Sequence, residues 1–301
     1  MISVCNVTKT FSKTAALKNI TCTIPEGSIY GMVGSNGAGK STFLRLITGV
    51  YKPDNGVITI DNLSVWENPK AKELFMYVPD DLYFISGASM NRMAKLYASL
   101  YPNFSFDRFH SLTATLRLNP DINIGTFSKG MKRQAAIILA LSTQPKYIFF
   151  DETFDGLDPV VRNVIKRLIY NDVAERKATA IITSHSLREL EDTCDQLALL
   201  HKGGIVFERD VSDLKTSLFK VQIALRENYD QSVFEGVDIV HFSKKGSVSN
   251  MIIRGDREAS VEILQKLSPI ILDILPLSLE EVFTYEMSAL GYDFSEETEG
   301  I

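Results

Sequence analysis

The run Gly34-Ser35-Asn36-Gly37-Ala38-Gly39-Lys40-Ser41 fits the pattern G-x-x-x-x-G-K-[ST]. Its chemistry is the binding of a polyphosphate. Glycines let successive backbone N–H groups curl around an anion, and a helix that starts at Lys40 points its positive dipole end at the same spot. Lys40 can reach the outer phosphates, and the Ser41 hydroxyl can ligate Mg²⁺. Farther along, the apolar run Tyr147-Ile148-Phe149-Phe150 ends in Asp151-Glu152. Ligands of parallel sheets lie at the carboxyl ends of strands. Asp151 therefore stands where it could hold Mg²⁺, directly or through water. Glu152 stands where it could polarise a water for in-line attack on a γ-phosphate. Thr183-Ser184-His185 ends a further apolar run, and a histidine there can hydrogen-bond the same phosphate. Phe127-Ser128-Lys129-Gly130-Met131 precedes a helix, which Ser128 can cap while the first N–H groups form a second anion site. Taken singly, the last three also fit bland roles: acids ending a strand, a surface histidine and an N-cap.

The elements that must position these groups follow from hydrophobic period. Ile2–Val7, Asn19–Ile24, Ser28–Val33 and Val57–Ile60 read as strands, and Lys40–Thr48 as a helix. Met90–Leu100 and Phe106–Leu116 read as helices of an insertion, and Gly130–Ser142 as a further helix. Strands at Tyr147–Phe150, Ala178–Thr183 and Gln196–His201 then alternate with helices at Val160–Val173 and Leu187–Thr193. That alternation implies a parallel sheet covered on both faces. The pattern weakens near Ser212–Lys215. Beyond it come a strand near Phe219–Leu225, a hairpin across Ile239–Ile253, a helix Ala259–Leu267, and a strand then a helix near Ile270–Tyr285. The acidic tail Ser295–Ile301 is expected to fray.

Composition bounds what such a chain can do. It has 301 residues, 45% hydrophobic and 23% charged, as in a packed globular protein, enough for one large domain or two smaller ones. The net charge of -5 argues against whole-chain binding to nucleic acid. The longest apolar run, Ala135–Leu141, is far short of the roughly 20 residues of a membrane-spanning helix. The opening MISVCNVTKT lacks a basic region followed by an apolar core, so no secretory signal is expected there. Cys5, Cys22 and Cys194 lack metal-ligand spacing and are expected to be reduced and buried.

In order, the phosphate loop, the Ser128 motif, the acid pair, Gly156-Leu157-Asp158 and Ser184-His185 resemble the nucleotide-binding subunit of ATP-binding cassette (ABC) transporters. The resemblance covers residues 1 to about 214, and the separations of Ser128 from Asp151 and of Glu152 from His185 fit that family. It implies an α/β fold: a P-loop NTPase cassette of the ABC type, with a mixed sheet, N-terminal antiparallel strands and a helical subdomain at about 80–142. Residues 215–301 would then be a small C-terminal α+β domain. ATP and Mg²⁺ are the implied ligands. ATP would meet Gly34, Ser35, Asn36, Gly37, Ala38, Gly39, Lys40, Ser41 and Thr42, with Phe11 stacked on adenine unless Phe11 is instead a core aromatic. In a head-to-tail dimer, with itself or a related ATPase, Ser128, Lys129 and Gly130 would close over the partner's ATP, with Asp158 at the interface. Glu152 and His185 would be catalytic, and Ser41, Asp80 and Asp151 would hold the metal.

The sequence also departs from the family. A glutamine usually ends the stretch that reads Tyr77-Val78-Pro79-Asp80-Asp81 here. Asp80 could still bind Mg²⁺ but cannot donate as an amide does, and Asp81 is the other candidate. The usual double glycine is Lys129-Gly130, with the lysine either beside a γ-phosphate or in solvent. Thr153 replaces a proline. The Ser128-Lys129-Gly130-Met131 form, the acidic replacement and the small C-terminal domain resemble the exporter branch of bacitracin- and daunorubicin-resistance ATPases. Separate transmembrane permease subunits would be the partners, with this chain peripheral on the cytoplasmic side of the cell membrane, and no nucleic acid is expected. Leu82-Tyr83-Phe84-Ile85 would line a groove for a permease helix, or else belong to the insertion's own core. The competing functions are an ABC importer ATPase and a soluble ABC-type ATPase acting on nucleic acid or ribosomes. Against the latter stand the single phosphate loop and the lack of sustained heptads or zinc-type cysteines.

Overall fold

The computed structural model describes residues 1–275 and 277–289 and divides the chain into two compact units, one ending at Glu208 and the other beginning at Arg209. In the first unit, β1 (Ile2–Phe11) and β2 (Thr14–Ile24) pair antiparallel and precede β3 (Ile29–Val33) and α1 (Lys40–Ile47). Then come β4 (Asn55–Ile60), β5 (Leu63–Ser64), the short α2 (Pro69–Lys72) and β6 (Phe75–Val78). The helical insertion holds α3 (Met90–Leu100), α4 (Phe106–Thr115) and α5 (Lys129–Ser142). The unit finishes with β7 (Tyr147–Asp151), α6 (Pro159–Arg176), β8 (Thr179–Ser184), α7 (Leu187–Leu190), β9 (Gln196–His201) and β10 (Gly204–Asp210).

Two sheets result. The antiparallel one has the order β2-β1-β4-β5, and the six-stranded one the order β10-β9-β3-β8-β7-β6. Strands β3, β7 and β8 are buried at every position, as parallel strands covered on both faces must be. Their core-facing side chains join those of β1, β2 and α1 in one cluster that includes Tyr30, Phe43, Tyr147 and Phe149. Gly31 makes room in β3 for neighbouring side chains, since a Cβ there would lie 2.5 Å from Leu197 Cδ2 and 2.8 Å from the Cys194 sulfur.

Register is what gathers the chemistry. Val33 aligns with Ser184, Asp151 with Thr183, and Val78 with Phe150, all in parallel pairs. The phosphate loop after β3, the acid pair ending β7, the residues ending β8 and the segment after β6 thus emerge at one edge. The helices that frame it begin at side-chain caps. Ser89, Ser105 and Ser128 accept from the N–H groups of Arg92, Arg108 and Met131 at the starts of α3, α4 and α5. Asp158 does the same for Val161 at the start of α6, with Pro159 at the first helical position.

The second unit contains α8 (Val211–Ser217), β11 (Leu218–Ala224), β12 (Asp238–Lys245), β13 (Val248–Arg254), α9 (Arg257–Gln265), β14 (Ile271–Leu275) and α10 (Leu279–Ala289). Its sheet, in the order β12-β13-β11-β14, is antiparallel and carries its own core of Phe219, Val221, Ile223, Phe234, Met251 and Ile253. This is the small α+β arrangement the alternating pattern suggests.

Three sequence expectations need correction, and one strand was not anticipated. The helix expected over Leu187–Thr193 ends at Leu190, where the N–H groups of Thr193 and Cys194 both turn back to the Leu190 carbonyl. The weak stretch at Ser212–Lys215 is helical and groups with the second unit, so the division falls before 214; Val211 and Leu214 supply its buried side. Gly204–Asp210, unassigned from sequence, is a strand entered through Lys202 and Gly203, both at positive φ, the geometry of a tight hairpin turn. Cys22 and Cys194 are buried and free, but Cys5 is exposed, because it lies on the outward side of β1 between Val4 and Val7. The tail Ser295–Ile301 lies outside the described residues.

Candidate nucleotide site

The phosphate loop is shaped by three glycines. Gly37 and Gly39 take φ of 80° and 113°, which L side chains rarely adopt. A Cβ at Gly34 would lie 2.3 Å from the Leu200 carbonyl, so only glycine fits against β9. Gly39 immediately precedes α1, and Lys40 and Ser41 are its first residues. The Lys40 side chain is buried. Its Nζ donates to the carbonyls of Gly34 at 2.6 Å and Ser35 at 3.1 Å, and lies 3.1 Å from Glu152 Oε1. Thr42 follows on the first turn of α1, half-buried.

Asp151 is fully buried and receives three hydroxyl donors. Ser41 and Thr183 donate to Oδ1 at 3.0 and 2.9 Å, and Tyr77 donates to Oδ2 at 3.0 Å. Burial raises its carboxyl above the usual range, the three hydrogen bonds oppose the shift, and neighbouring Glu152 adds to it. Burial and Asp151 also push the Tyr77 phenol well up, which keeps it a donor.

Glu152 has a left-handed backbone, φ 46°. For an L residue this costs about 1–2 kcal/mol, so surrounding contacts must hold it. Its N–H donates to Thr183 Oγ1 at 3.1 Å, and its carbonyl accepts from Arg133 Nη1 at 2.6 Å. Glu152, Asp155 and His185 bring ligand atoms within 4.8 Å of one another, with His185 Nδ1 3.6 Å from Asp155 Oδ2. Burial raises the Asp155 carboxyl, and His185 counters it. The two residues expected to be catalytic therefore share one corner of the sheet edge.

The other expected residues lie farther out. Asp80 Oδ1 accepts from Arg133 Nη2 at 2.8 Å, so an arginine already occupies the carboxylate expected to face the metal. Phe11 is 41% exposed and meets Tyr51 edge-on at 5.2 Å between centroids, which rules out a core aromatic. Ser128 and Lys129 are exposed and Gly130 half-buried at the head of α5; a Cβ on Gly130 would lie 3.2 Å from the Gly156 carbonyl. Asp158 is exposed at its cap. Tyr83 is 83% exposed, and a groove of about 340 Å³ is lined by Leu82, Tyr83, Phe84, Ile85, Asn123 and Lys132.

Sequence reasoning missed Arg133, Thr183 and Asp155 as members of this constellation. Thr183 lies inside the quoted Thr183-Ser184-His185 and Asp155 flanks Gly156-Leu157-Asp158, so proximity was a usable signal. Arg133 is a buried cation inside an otherwise amphipathic helix, and nothing local marks it.

A phosphate-binding loop on a parallel sheet edge, with a buried strand-end acid beside the loop serine and a second acid beside the loop lysine, defines a nucleoside triphosphatase site. The family model described as "ABC transporter" matches residues 17–155. The ABC transporter ATP-binding protein YtrB of Bacillus subtilis is 29% identical over 94% of this chain and 97% of its own. The bacitracin transport ATP-binding protein BcrA of Bacillus licheniformis is 30% identical over 71% of each chain. The phosphonates import ATP-binding protein PhnC of Rhizobium etli is 29% identical over 73% of this chain and 85% of its own. Among solved structures, an ATP-binding subunit of an ABC transporter superposes with a TM-score of 0.66 at 25% identity, over 71% of this chain and 92% of its own. A dimeric ATP-binding cassette bound to ADP and phosphate in a post-hydrolysis state shares the fold, with a TM-score of 0.64 at 23% identity over 70% and 99%. The chain belongs to the ATP-binding proteins of ABC transporters and is an ATPase of that class. No helix among the described residues is long and apolar enough to cross a membrane.

Proposed function

We propose that the chain powers export through a separate membrane permease, bound peripherally at the cytoplasmic face, with its ATPase confined to the first unit and the C-terminal α+β unit as an accessory. The observation that carries the catalytic part is the joint placement of Lys40, Ser41, Asp151 and Glu152 at one sheet edge. ATP lies with its phosphates in the Gly34–Ser41 loop, where Lys40 offers its charge. The donor set fits Mg²⁺: a hydroxyl and a buried carboxylate whose hydrogen-bond donors are all uncharged. Ser41 and Asp151 would hold the ion, whose positive charge offsets that of the phosphates; Asp80 has only its second oxygen to offer. Glu152 accepts the proton of a water whose oxygen bonds to the γ-phosphorus as the bond to the bridging oxygen breaks. His185, held near Asp155, donates to the same phosphate.

Catalysis is completed by a head-to-tail dimer, in which Ser128, Lys129 and Gly130 of one copy close over the other's ATP and Asp158 lines the contact. Exposure of Ser128, Lys129 and Asp158 and the dimeric state of a fold neighbour support this reading. Similarity to a bacitracin transport protein, with Lys129 and Asp80, supports export; similarity to a phosphonate import protein keeps import as the second reading. The groove at Leu82–Ile85 is the docking place for the permease.

The test is what co-purifies with the tagged chain from detergent-solubilised native membranes. A polytopic membrane protein is expected; a ribosome or DNA partner overturns the transporter role. In vesicles carrying that partner, with the ATPase outside, ATP-driven accumulation indicates export and ATP-driven depletion indicates import.

A further inference from the structure

Arg133 is buried on α5, and its guanidinium joins two segments that are distant in sequence. Nη1 donates to the Glu152 carbonyl at 2.6 Å, and Nη2 donates to Asp80 Oδ1 at 2.8 Å. The first acceptor belongs to the left-handed residue whose carboxylate faces the phosphate loop. The second lies just past β6 and opens the stretch that continues into Leu82–Ile85 and the groove, which Lys132, the neighbour of Arg133, also lines.

Both peptide groups of Glu152 are tied by side chains. Thr183 takes the N–H and Arg133 holds the carbonyl. A backbone at φ 46° persists only when its surroundings over-determine it, so removing one tie frees the peptide to rotate and swings the carboxylate with it. A guanidinium is a planar fork with fixed donor directions. If Asp80 moves, the fork turns, and the hydrogen bond to Glu152 moves with it. The Asp80 side chain is 53% exposed, so it is free to follow the groove segment, whereas the Arg133 side chain is enclosed.

We propose that Arg133 is a positioning residue of the ATPase site: it aims the Glu152 carboxylate and passes to it the position of the Asp80 segment. This rests on Glu152 as the water-activating group.

The experiment uses the full-length chain and compares Arg133→Gln, Arg133→Lys, Asp80→Asn, the double variant Asp80→Asn/Arg133→Gln, and Glu152→Gln. It measures kcat and KM for MgATP, the Mg²⁺ dependence, the affinity for a non-hydrolysable ATP analogue and the melting temperature. Arg133→Gln is expected to lower kcat about tenfold or more, since misplacement of a reacting group costs rate rather than binding, with KM and analogue affinity within about twofold. Arg133→Lys recovers part of the rate, because an ammonium reaches one acceptor and not both. Asp80→Asn lowers kcat about threefold, and the double variant is no slower than Arg133→Gln, because Asp80 acts through Arg133. A kcat per folded molecule in Arg133→Gln equal to that of the parent, with only the melting temperature lowered, would overturn the proposal. So would additive losses in the double variant, or an Asp80→Asn effect confined to Mg²⁺ dependence. If Arg133→Gln does not fold, an unchanged kcat in both Arg133→Lys and Asp80→Asn overturns it equally. Turnover retained by Glu152→Gln would instead remove the assignment of Glu152 on which the proposal stands.

Discussion

The two ends of β7 each gather a carboxylate, a tyrosine and a lysine, and they differ in which group meets which. At the amino end, Asp61 accepts from Lys146 at 2.8 Å and from Tyr147 at 2.6 Å. At the carboxyl end, Asp151 accepts from Tyr77, Ser41 and Thr183, while Lys40 turns to Glu152. Burial works against ionisation of Asp61, but hydrogen bonds from Lys146, Tyr147 and the N-terminal amine outweigh it and draw the carboxyl down to about 2. Asp151 goes the other way, because burial dominates and every donor it receives is neutral. Among the described residues, no ion pair involves Asp151. A structural cluster satisfies its charge internally. At the other end a buried carboxylate is left short of positive charge, as the proposed role of Asp151 in holding a metal ion requires.

The sharpest break in this comparison is Glu152→Gln. It should reduce turnover at least about a hundredfold while ATP binding persists, because only the proton acceptor is lost; unchanged turnover in purified protein would show that another group activates the water. Next, Asp151→Asn should weaken the response to Mg²⁺ about tenfold or more, yet leave the melting temperature of the nucleotide-free protein unchanged or higher, since a poorly solvated charge is removed. Asp61→Asn should do the converse. It costs about 1 kcal/mol at pH 7, limited by solvent screening, with turnover per folded molecule within about twofold. The sign of the pH effect follows. A carboxyl depressed to about 2, against about 3.9 when unfolded, stabilises fully above the unfolded value and loses that contribution as pH falls through the folded one. The parent and Asp61→Asn should therefore differ in stability above about pH 4 and converge near pH 2, read by denaturant titration. The smallest effects belong to the tyrosines. Tyr147→Phe should lower stability by about 1 kcal/mol without touching Mg²⁺ dependence, whereas Tyr77→Phe should shift Mg²⁺ dependence a few-fold. If the two exchange behaviours, the contrast between the ends of β7 is wrong.

Much of this edge was readable from residue order. The phosphate loop is a local pattern whose glycines are dictated by local geometry, and the buried runs before Asp151 and His185 announce strands that end in polar groups. The helices at Met90–Leu100 and Gly130–Ser142 were legible because caps and apolar period agree. What stayed hidden depends on alignment between strands. Thr183 reaches Asp151 because β7 and β8 pair in one register, and no feature of Ala178–Thr183 fixes that offset. Arg133 sits on a helix whose period merely says that one side is buried; that the buried side includes a charge, balanced by Asp80 and a carbonyl, emerges only from packing. Gly204–Asp210 was missed because Gly204–Glu208 is half-buried without alternation and Arg209 and Asp210 are exposed, so no period-2 pattern marks it.

The strand register has an evolutionary consequence. Adding or removing one residue inside β8 would bring Ile182 or Ser184 opposite Asp151 in place of Thr183, and would reverse the face of every side chain between the slip and the strand end. Such a change would cost the Asp151 and Glu152 contacts and the core together, so no sequence of tolerated single steps runs through it. Changes in length are expected instead in the loops beyond the strand ends, which leave the register intact. Such loops can change while the edge that carries Asp151 and Glu152 stays the same.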